Sequence, residues 1–510
     1  MSSILKAHTI DGRVFEYIDE IKSSGGMKDM YFSPDKKSVL LFFRDQQDQQ
    51  CLERLQLITG RYRDRIFNQE GGEYWQELFR WPEEVVENDK GQIGIVEPVY
   101  QQHFFFDTGS INDDFLDIKG CEKEGKWFAS PTNRYKYLDP SERGDWLSYL
   151  RISILISRAV RRLHAAGLAH SDLSYKNVLV DPKGGHTCIV DVDGLVVPGK
   201  FPPDVAGTPD FFAPEVVKTA HLDKKDPNRK LPSISTDRHA LAVLIYMYLF
   251  LRHPLRGDKV HDVDDPQRDE DLSMGENSLF VEHAHDTSNR IDKAQVRDSE
   301  LPWKDTDALP YQIAGPYLAD LFERAFITGL HEPSLRPTAD EWEHALVKTV
   351  DLIQPCQNAD CEQKWYVFDN TKSPQCPFCG TKFHGKLPIL NLYSNLHDGK
   401  FKPDNHRLMV YTGQSLYKWH INRKIIPNER LTTADRLRMG YFIFHNNNWL
   451  LVNERMPKLF KVKAGQAKLD PKENQFVGIG ESVVLDDGLQ LLFGKDEEGS
   501  RLAVVQLVAV

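Results

Sequence analysis

The chain has 510 residues, more than a single hydrophobic core of roughly 250 to 300 residues accommodates, so two or three folded units are expected. Hydrophobic residues make up 40% and charged residues 27%, and the net charge of -11 argues against nucleic acid as a general partner. Residues 1–10 lack a basic segment leading into an apolar run, and the longest apolar run, 240–251, falls short of the roughly 20 residues that span a bilayer, so a cytoplasmic protein is expected.

Taken in chain order, residues 12–44 alternate short apolar runs with the turn signals Ser23-Ser24-Gly25-Gly26 and Ser33-Pro34-Asp35, which predicts a three-stranded antiparallel sheet. A polar helix is predicted over 46–67 and a strand over 93–100, and 107–143 reads as an insertion with few regular signals. Over 145–166, Ile152, Ile156, Val160 and Leu163 recur at helical spacing and Gly167 supplies the stop, so one long helix with one buried face is expected. The acidic stretch 257–307 is either a large surface insertion or partly disordered, and helical periodicity returns over 318–350. From 408 to 510, β runs at 441–444, 449–452 and 489–493 alternate with Asn, Asp and Gly turns, as in a small all-β sandwich or barrel.

Directly after the long helix stands His170-Ser171-Asp172-Leu173-Ser174-Tyr175-Lys176-Asn177. It resembles the catalytic loop of the protein kinases, H-R-D-L followed by three residues and Asn. That resemblance implies that Asp172 orients the proton of an attacking hydroxyl, that Asn177 holds magnesium, and that Lys176 reaches the transferred phosphoryl group of ATP. Serine/threonine kinases carry that lysine two residues after the aspartate, where this chain has Ser174, and tyrosine kinases place an arginine four after it. In Asp191-Val192-Asp193-Gly194, Asp191 matches the magnesium ligand of D-F-G and Asp193 falls on its glycine, where a second carboxylate either joins the metal site or caps the turn. The run Gly207-Thr208-Pro209-Asp210-Phe211-Phe212-Ala213-Pro214-Glu215 resembles the end of an activation segment, and its Thr208 favours Ser/Thr substrates. Asp237 matches the aspartate beneath the catalytic loop, and Arg336 the arginine that pairs with Glu215. Singly, each feature reads as a turn, a surface charge or a cap; in this order they imply the kinase fold.

The nucleotide end departs from the pattern. Gly25 and Gly26 can bring backbone N–H groups to phosphate, but the third glycine position is Lys28, and the strand lysine of V-A-I-K is replaced by Arg44. Arginine does not substitute for lysine in a tight phosphate site, so either the kinase is dead or Lys28 supplies the ammonium, as a loop lysine does in the kinases called "with no lysine". The second reading is favoured because Asp172, Asn177 and Asp191 are all present. Glu53 is the first candidate and Glu73 the second for the glutamate that pairs with this cation, and Glu97 is placed with the nucleotide-binding residues. Ser171 replaces the arginine that receives an activation-loop phosphate, and 195–206 holds no Ser, Thr or Tyr, so activity independent of phosphorylation there is expected.

Of the seven cysteines, Cys356, Cys361, Cys376 and Cys379 form two knuckles that suit a structural zinc, while Cys51, Cys121 and Cys188 are scattered. Residues 484–494 are similar to the closing strands of forkhead-associated domains, without their phosphothreonine-binding pattern, so docking or dimerisation is the expected role of that domain. The expected fold is α+β: a bilobal kinase domain over 1–350 (lobes about 1–100 and 101–350), a zinc ribbon over 351–385, and a forkhead-associated-like β-sandwich over 386–510. The stretch 163–215 resembles the bacterial kinases of tellurite-resistance and stress clusters, which implies a von Willebrand A protein as substrate and a metal-dependent protein phosphatase as opponent. The rivals are a nucleotide-binding pseudokinase scaffold and a small-molecule kinase of the aminoglycoside type, whose chains lack the Gly-Thr-Pro and Ala-Pro-Glu platform.

Overall fold

The computed structural model describes residues 3–25, 27–68, 71–197, 207–223, 225–368, 373–395, 401–462, 475–494 and 499–509. The chain divides into two units, one of Met1–Gly144, Ser148–Tyr311 and Asp320–Glu343, the other of Asp145–Leu147, Gln312–Ala319 and His344–Val510.

The first unit opens with an antiparallel sheet of β1 (Ile4–Thr9), β2 (Val14–Ile18), β3 (Ser23–Gly25), β4 (Lys28–Phe32), β5 (Ser38–Phe43), β6 (Glu84–Asn88) and β7 (Ile93–Pro98), in the order β2-β1-β6-β7-β5-β4-β3. It is wider than the three strands expected from 12–44. β1 escaped prediction because it buries only Ala7 and Thr9, too little for a visible alternation. Side chains alternate between the two faces of each strand. Leu40 and Phe42 of β5 therefore pack with Ala7, Tyr17, Val86 and Val96 on one face, while Phe43 packs with Ile95, Cys51 and Leu55 on the other.

Cys51 and Leu55 belong to α1 (Gln49–Leu57), whose first turn is capped by Asp48 accepting from the Cys51 N–H at 2.7 Å. The single helix expected over 46–67 is instead α1, a widened turn at Ile58–Tyr62 containing Gly60, and α2 (Arg63–Phe67), followed by α3 (Gly72–Leu78).

The helix Trp146–Ala165, whose residues from Ser148 on belong to this unit, buries Ile152, Ile156, Val160 and Leu163 completely. The chain leaves it through Gly167 at φ +78°, a conformation that glycine adopts without strain. After the hairpin of β8 (Val178–Asp181) and β9 (His186–Ile189), the helix Ile234–Phe250 is buried continuously from Leu241 to Phe250. The insertion over 107–143 folds as short turns tied down by Lys123, buried 3.1 Å from Glu142 and 3.5 Å from Asp181. The acidic stretch 257–307 is laid down as the helix Pro266–Met274 and turns, held by Arg252, which donates to Glu282, Trp303 O and Leu309 O.

Arg336 Nη1 and Nη2 meet Glu215 Oε1 and Oε2 at 2.8 and 2.7 Å, and the same guanidinium donates to Ser235 O, Gly329 O and Leu330 O. This arginine is 2% exposed, so its removal strands a partly buried carboxylate and three carbonyls.

Among the described residues, the second unit carries a short hairpin, β10 (Ile353–Pro355) with β11 (Trp365–Val367), and ten further strands. These are β12 (Lys386–Asn395), β13 (Phe401–Met409), β14 (Ser415–Tyr417), β15 (Arg438–His445), β16 (Asn448–Asn453), β17 (Leu459–Val462), β18 (Gln475–Val477), β19 (Ser482–Val484), β20 (Gln490–Phe493) and β21 (Arg501–Ala509). They form two sheets, ordered β13-β12-β21-β20-β17-β18 and β14-β15-β16-β19, so the fold is a sandwich rather than a barrel. Leu390, Leu408, Leu491 and Val505 from one sheet share a core with Leu416, Phe442, Leu451 and Val483 from the other. Asp351 is buried beside it and is held by His406 Nε2 at 2.6 Å and His420 Nε2 at 3.2 Å. No helix among the described residues is long and apolar enough to cross a membrane.

Replacing Arg336 by Ala is expected to lower the unfolding free energy by about 2 kcal/mol or more, read by urea denaturation, because losing the buried guanidinium leaves a partly buried carboxylate and three carbonyls without their donor. A loss under about 1 kcal/mol would show that the Glu215 pair is a surface contact.

Candidate active site and metal centre

The strands of the first sheet turn one face toward a cleft of about 580 Å³, lined by Lys28, Met30, Leu41, Phe43 and Glu97 from the sheet, and by His170, Asp172, Lys176, Leu179, Val190, Asp191 and Asp193 from the catalytic segments. Register explains which sheet residues arrive there. Lys28 is paired with Phe43 and Asp29 with Phe42, so Lys28 shares the inner face with Phe43 while Asp29 points the other way. Arg44, one residue past Phe43, goes to the outer side and binds Asp29 at 2.8 Å. It is not among the residues that line the cleft, and its assignment to nucleotide is corrected on that ground.

Lys28 occupies the place Arg44 was expected to fill. Its Nζ lies 2.8 Å from both Asp193 oxygens and 3.0 Å from Asp191 Oδ1, with the Phe43 ring centroid at 5.4 Å. Gly25 stands opposite Lys28 in the β3–β4 pairing, so the nucleotide loop is a tight turn; Gly26 lies outside the described residues. The two glutamates proposed as partners do not reach the ammonium. Glu53 is exposed on α1, whereas Glu73 lines a separate cavity with Arg63, Arg80 and Trp81. α1 presents Arg54 to the cleft instead.

On the other side, Asp172 is held by hydrogen bonds to both oxygens. Oδ1 accepts from the Thr208 N–H at 2.8 Å and its hydroxyl at 3.0 Å, and Oδ2 accepts from Asn177 Nδ2 at 3.0 Å. Gly207 permits this approach, since a Cβ there would sit 3.0 Å from Asp172 Oδ1. Asp237 accepts the His170 N–H at 2.7 Å and the Ser171 N–H at 3.1 Å, which fixes the loop from beneath. Ser171 and Asp191 adopt φ +71° and +58°, unfavourable for side-chain-bearing residues, and such strain persists where surrounding contacts hold it. Lys176 is exposed at the rim. The stretch 198–206, on which the absence of a phosphorylation site partly rests, lies outside the described residues.

Sequence reasoning missed Gln47, Arg54, Tyr100, Glu122 and Glu124 in the cleft lining. Arg54 had a faint signal, three residues after the buried Cys51 on the same helix. Glu122 and Glu124 had none, because their segment arrives by a tertiary path through isolated bridges to Phe105 and Leu179.

Three carboxylates, Asp191, Asp193 and Glu97, crowd one ammonium. Burial works against the Lys28 cation, but Asp193, Asp191 and Glu97 together raise its pKa. Burial also pushes the Glu97 carboxyl up to about 8, with Lys28 pulling the other way. Asp191 goes down despite its burial because Lys28 stands against it. A partly buried site with an excess of acid groups is one that a divalent cation would fit, and Asp191 would supply an oxygen donor of the kind magnesium prefers, whereas Asn177, whose amide is bonded to Asp172, is not among the residues that line the cleft. Magnesium-bound triphosphate, when present, supplies an electrophilic phosphorus and the charge that neutralises this excess. Thr208 and Asn177 hold the Asp172 carboxylate in place and Lys28 presents its ammonium to the cleft, an arrangement that would orient a hydroxyl and receive phosphate oxygens.

Residues 148–342 match the family described as the protein kinase domain. The chain carries a protein kinase domain. Among curated proteins it is 34% identical over 103 residues to death-associated protein kinase dapk-1 of Caenorhabditis elegans, covering 20% of this chain and 6% of that one. It is 27% identical over 139 residues to the probable serine/threonine-protein kinase fhkA of Dictyostelium discoideum (24% and 23% covered), and 25% identical over 175 residues to atypical protein kinase C of Drosophila melanogaster (31% and 26%). The matched stretch thus spans about a quarter or less of each curated relative. Among solved structures, a rhoptry kinase of Toxoplasma gondii aligns with a TM-score of 0.40 at 12% identity, over 68% of this chain and 84% of that one. The PK-1 kinase of the Cydia pomonella granulovirus aligns with a TM-score of 0.36 at 16% identity, over 63% and 91%.

In the second unit, the ligand atoms of Cys356, Cys361, Cys376 and Cys379 all lie within 4.8 Å of one another, with Sγ–Sγ distances of 3.5 Å (Cys356–Cys379) and 3.9 Å (Cys361–Cys376). Four sulfurs on tetrahedral zinc at about 2.3 Å stand about 3.8 Å apart, so the residues fit that ion. The knuckles are shaped by backbone bonds from Cys361 N to Asn358 O, Lys364 N to Cys361 O and Gly380 N to Cys376 O. Burial works against the Cys379 thiolate, yet its hydrogen bonds with Thr381 bring the pKa down to about 6. Four thiolates leave no open coordination position, so a metal here is structural.

Two outcomes follow. Because the native Glu97 pKa is raised, the native state holds a proton that the unfolded chain releases; this contribution is full below about pH 4.5 and is lost as pH rises through about 8. Glu97→Gln should therefore flatten the decline of Tm between pH 5 and 8, and an unchanged slope would contradict the assignment. Elemental analysis should find one zinc per chain, and Cys376→Ser should release it and lower the Tm of the second unit; full retention of metal by that variant would exclude the four-cysteine site.

Proposed function

We propose that the chain is an ATP- and Mg2+-dependent protein kinase that transfers the γ-phosphoryl group to Ser or Thr of a protein partner. The observation that carries this reading is that Lys28, Asp172, Asp191 and Asp193 line one cleft, with Asp172 held by hydrogen bonds from Asn177 and Thr208 behind it. Thr208, whose hydroxyl is bonded to both Asp172 and Ser174, supports the Ser/Thr preference. The resemblance of 163–215 to the tellurite-resistance and stress kinases supports a cytoplasmic bacterial stress module, with a von Willebrand A protein as substrate and a metal-dependent phosphatase as opponent. The β-sandwich, read as forkhead-associated-like, and the zinc ribbon would serve as docking modules. With no acceptor identified in the loop, activity would not depend on phosphorylation there.

A second reading, the pseudokinase scaffold, draws on one observation: Lys28 already holds the two carboxylates at the metal end of the cleft. Incubation with labelled ATP and Mg2+ decides between them. Wild type and Arg44→Ala should label themselves or a generic Ser/Thr substrate, while Lys28→Met and Asp172→Ala should fall at least 100-fold, the range expected for losing phosphate positioning or the hydroxyl-orienting carboxylate. Label transfer that survives in Lys28→Met, or is lost in Arg44→Ala, would overturn the proposal; nucleotide binding with no transfer by wild type would favour the scaffold.

A further inference from the structure

A kinase lysine needs a fixed anion behind it, since an ammonium on a long flexible stem otherwise samples many positions. Helix α1 does not provide one: Glu53 is exposed and Arg54 is the residue it turns to the cleft. Two aspartates meet Lys28, and they are not equivalent. Asp193 chelates Nζ through both oxygens at 2.8 Å with its side chain only 7% exposed, whereas Asp191 touches Nζ through one oxygen at 3.0 Å with its side chain 51% exposed. Asp191 is thus open to a cation entering from the cleft, and Asp193 is walled in behind Lys28. We infer that Asp193 is the positioning residue for Lys28, standing in for a helix glutamate, which no helix among the described residues brings to the cleft. The aspartate in the glycine position of the D-F-G pattern and the lysine displaced onto β4 are then two halves of one substitution. When nucleotide binds, Asp191 leaves Lys28 and Asp193 stays.

The inference rests on the kinase reading for the identity of the ligand, and a double-mutant cycle without turnover tests it. Calorimetric binding of Mg·ADP is measured for wild type, Lys28→Met, Asp193→Asn and the double variant, alongside thermal melts of each unliganded protein. Asp193→Asn should weaken binding about tenfold or more, and the double variant should bind no worse than Lys28→Met alone, since removing the anchor of an absent lysine changes nothing. The double variant also restores folding if a lone buried charge destabilises either single one. Glu53→Gln and Glu73→Gln should stay within about twofold of wild type. Equal losses from Asp193→Asn with and without Lys28, including a raised Mg2+ requirement in both backgrounds, would make Asp193 a metal ligand and overturn the inference. Wild-type binding with additive losses defeats the inference and leaves the kinase reading standing. Coupled losses without phosphotransfer defeat that reading and leave the inference, and no binding by wild type defeats both.

Discussion

The ammonium of Lys28 between Asp193 and Asp191 is the contact on which the candidate site depends. It joins the strand sheet to the catalytic segments across more than 160 positions of sequence. Without that cation, Asp191, Asp193 and Glu97 would face one another in a confined cleft, which repulsion and desolvation together forbid. With it, the cleft remains acidic enough to draw in a divalent ion and basic enough at one point to receive phosphate.

Around this contact the residues of the candidate site are held rigidly. Asp172 is bonded at both oxygens, its loop is pinned by Asp237, and the segment after it is locked by the pair of Glu215 with the buried Arg336. Apart from the local Asn177–Asp172 bond, these contacts join positions far apart in the chain, so the site forms only when the fold is complete. Asp191 differs in being half-exposed and in a left-handed conformation, as befits the group that must change partners when a cation arrives.

Much of this was legible in the sequence because it was written in local patterns. The catalytic loop, the threonine and the late arginine sit at short, recognisable spacings, and the long helix announced itself by Ile152, Ile156, Val160 and Leu163. Lys28 was a candidate because a loop lysine stands at that position in the kinases called "with no lysine" and because Asp172, Asn177 and Asp191 are all present, and β4 does carry it to the cleft. What could not be read was the partner. Glu53 and Glu73 were candidates because the family pattern puts a glutamate on that helix, but helical phase turns Glu53 to solvent beside the buried Cys51 and Leu55. Arg44 failed for a similar reason, since a one-residue step along a strand reverses the face a side chain occupies. The cysteine knuckles were plain from spacing; the pairing of the ten sandwich strands was not, because sheet order is a tertiary property.

A crystal structure of the protein with Mg2+ and a non-hydrolysable ATP analogue tests the central claim most directly. Lys28 Nζ should lie about 3 Å from a phosphate oxygen while still chelated by Asp193, with Asp191 turned to the metal. Phosphates gripped by Arg44, with Lys28 swung out of the cleft, would contradict the account.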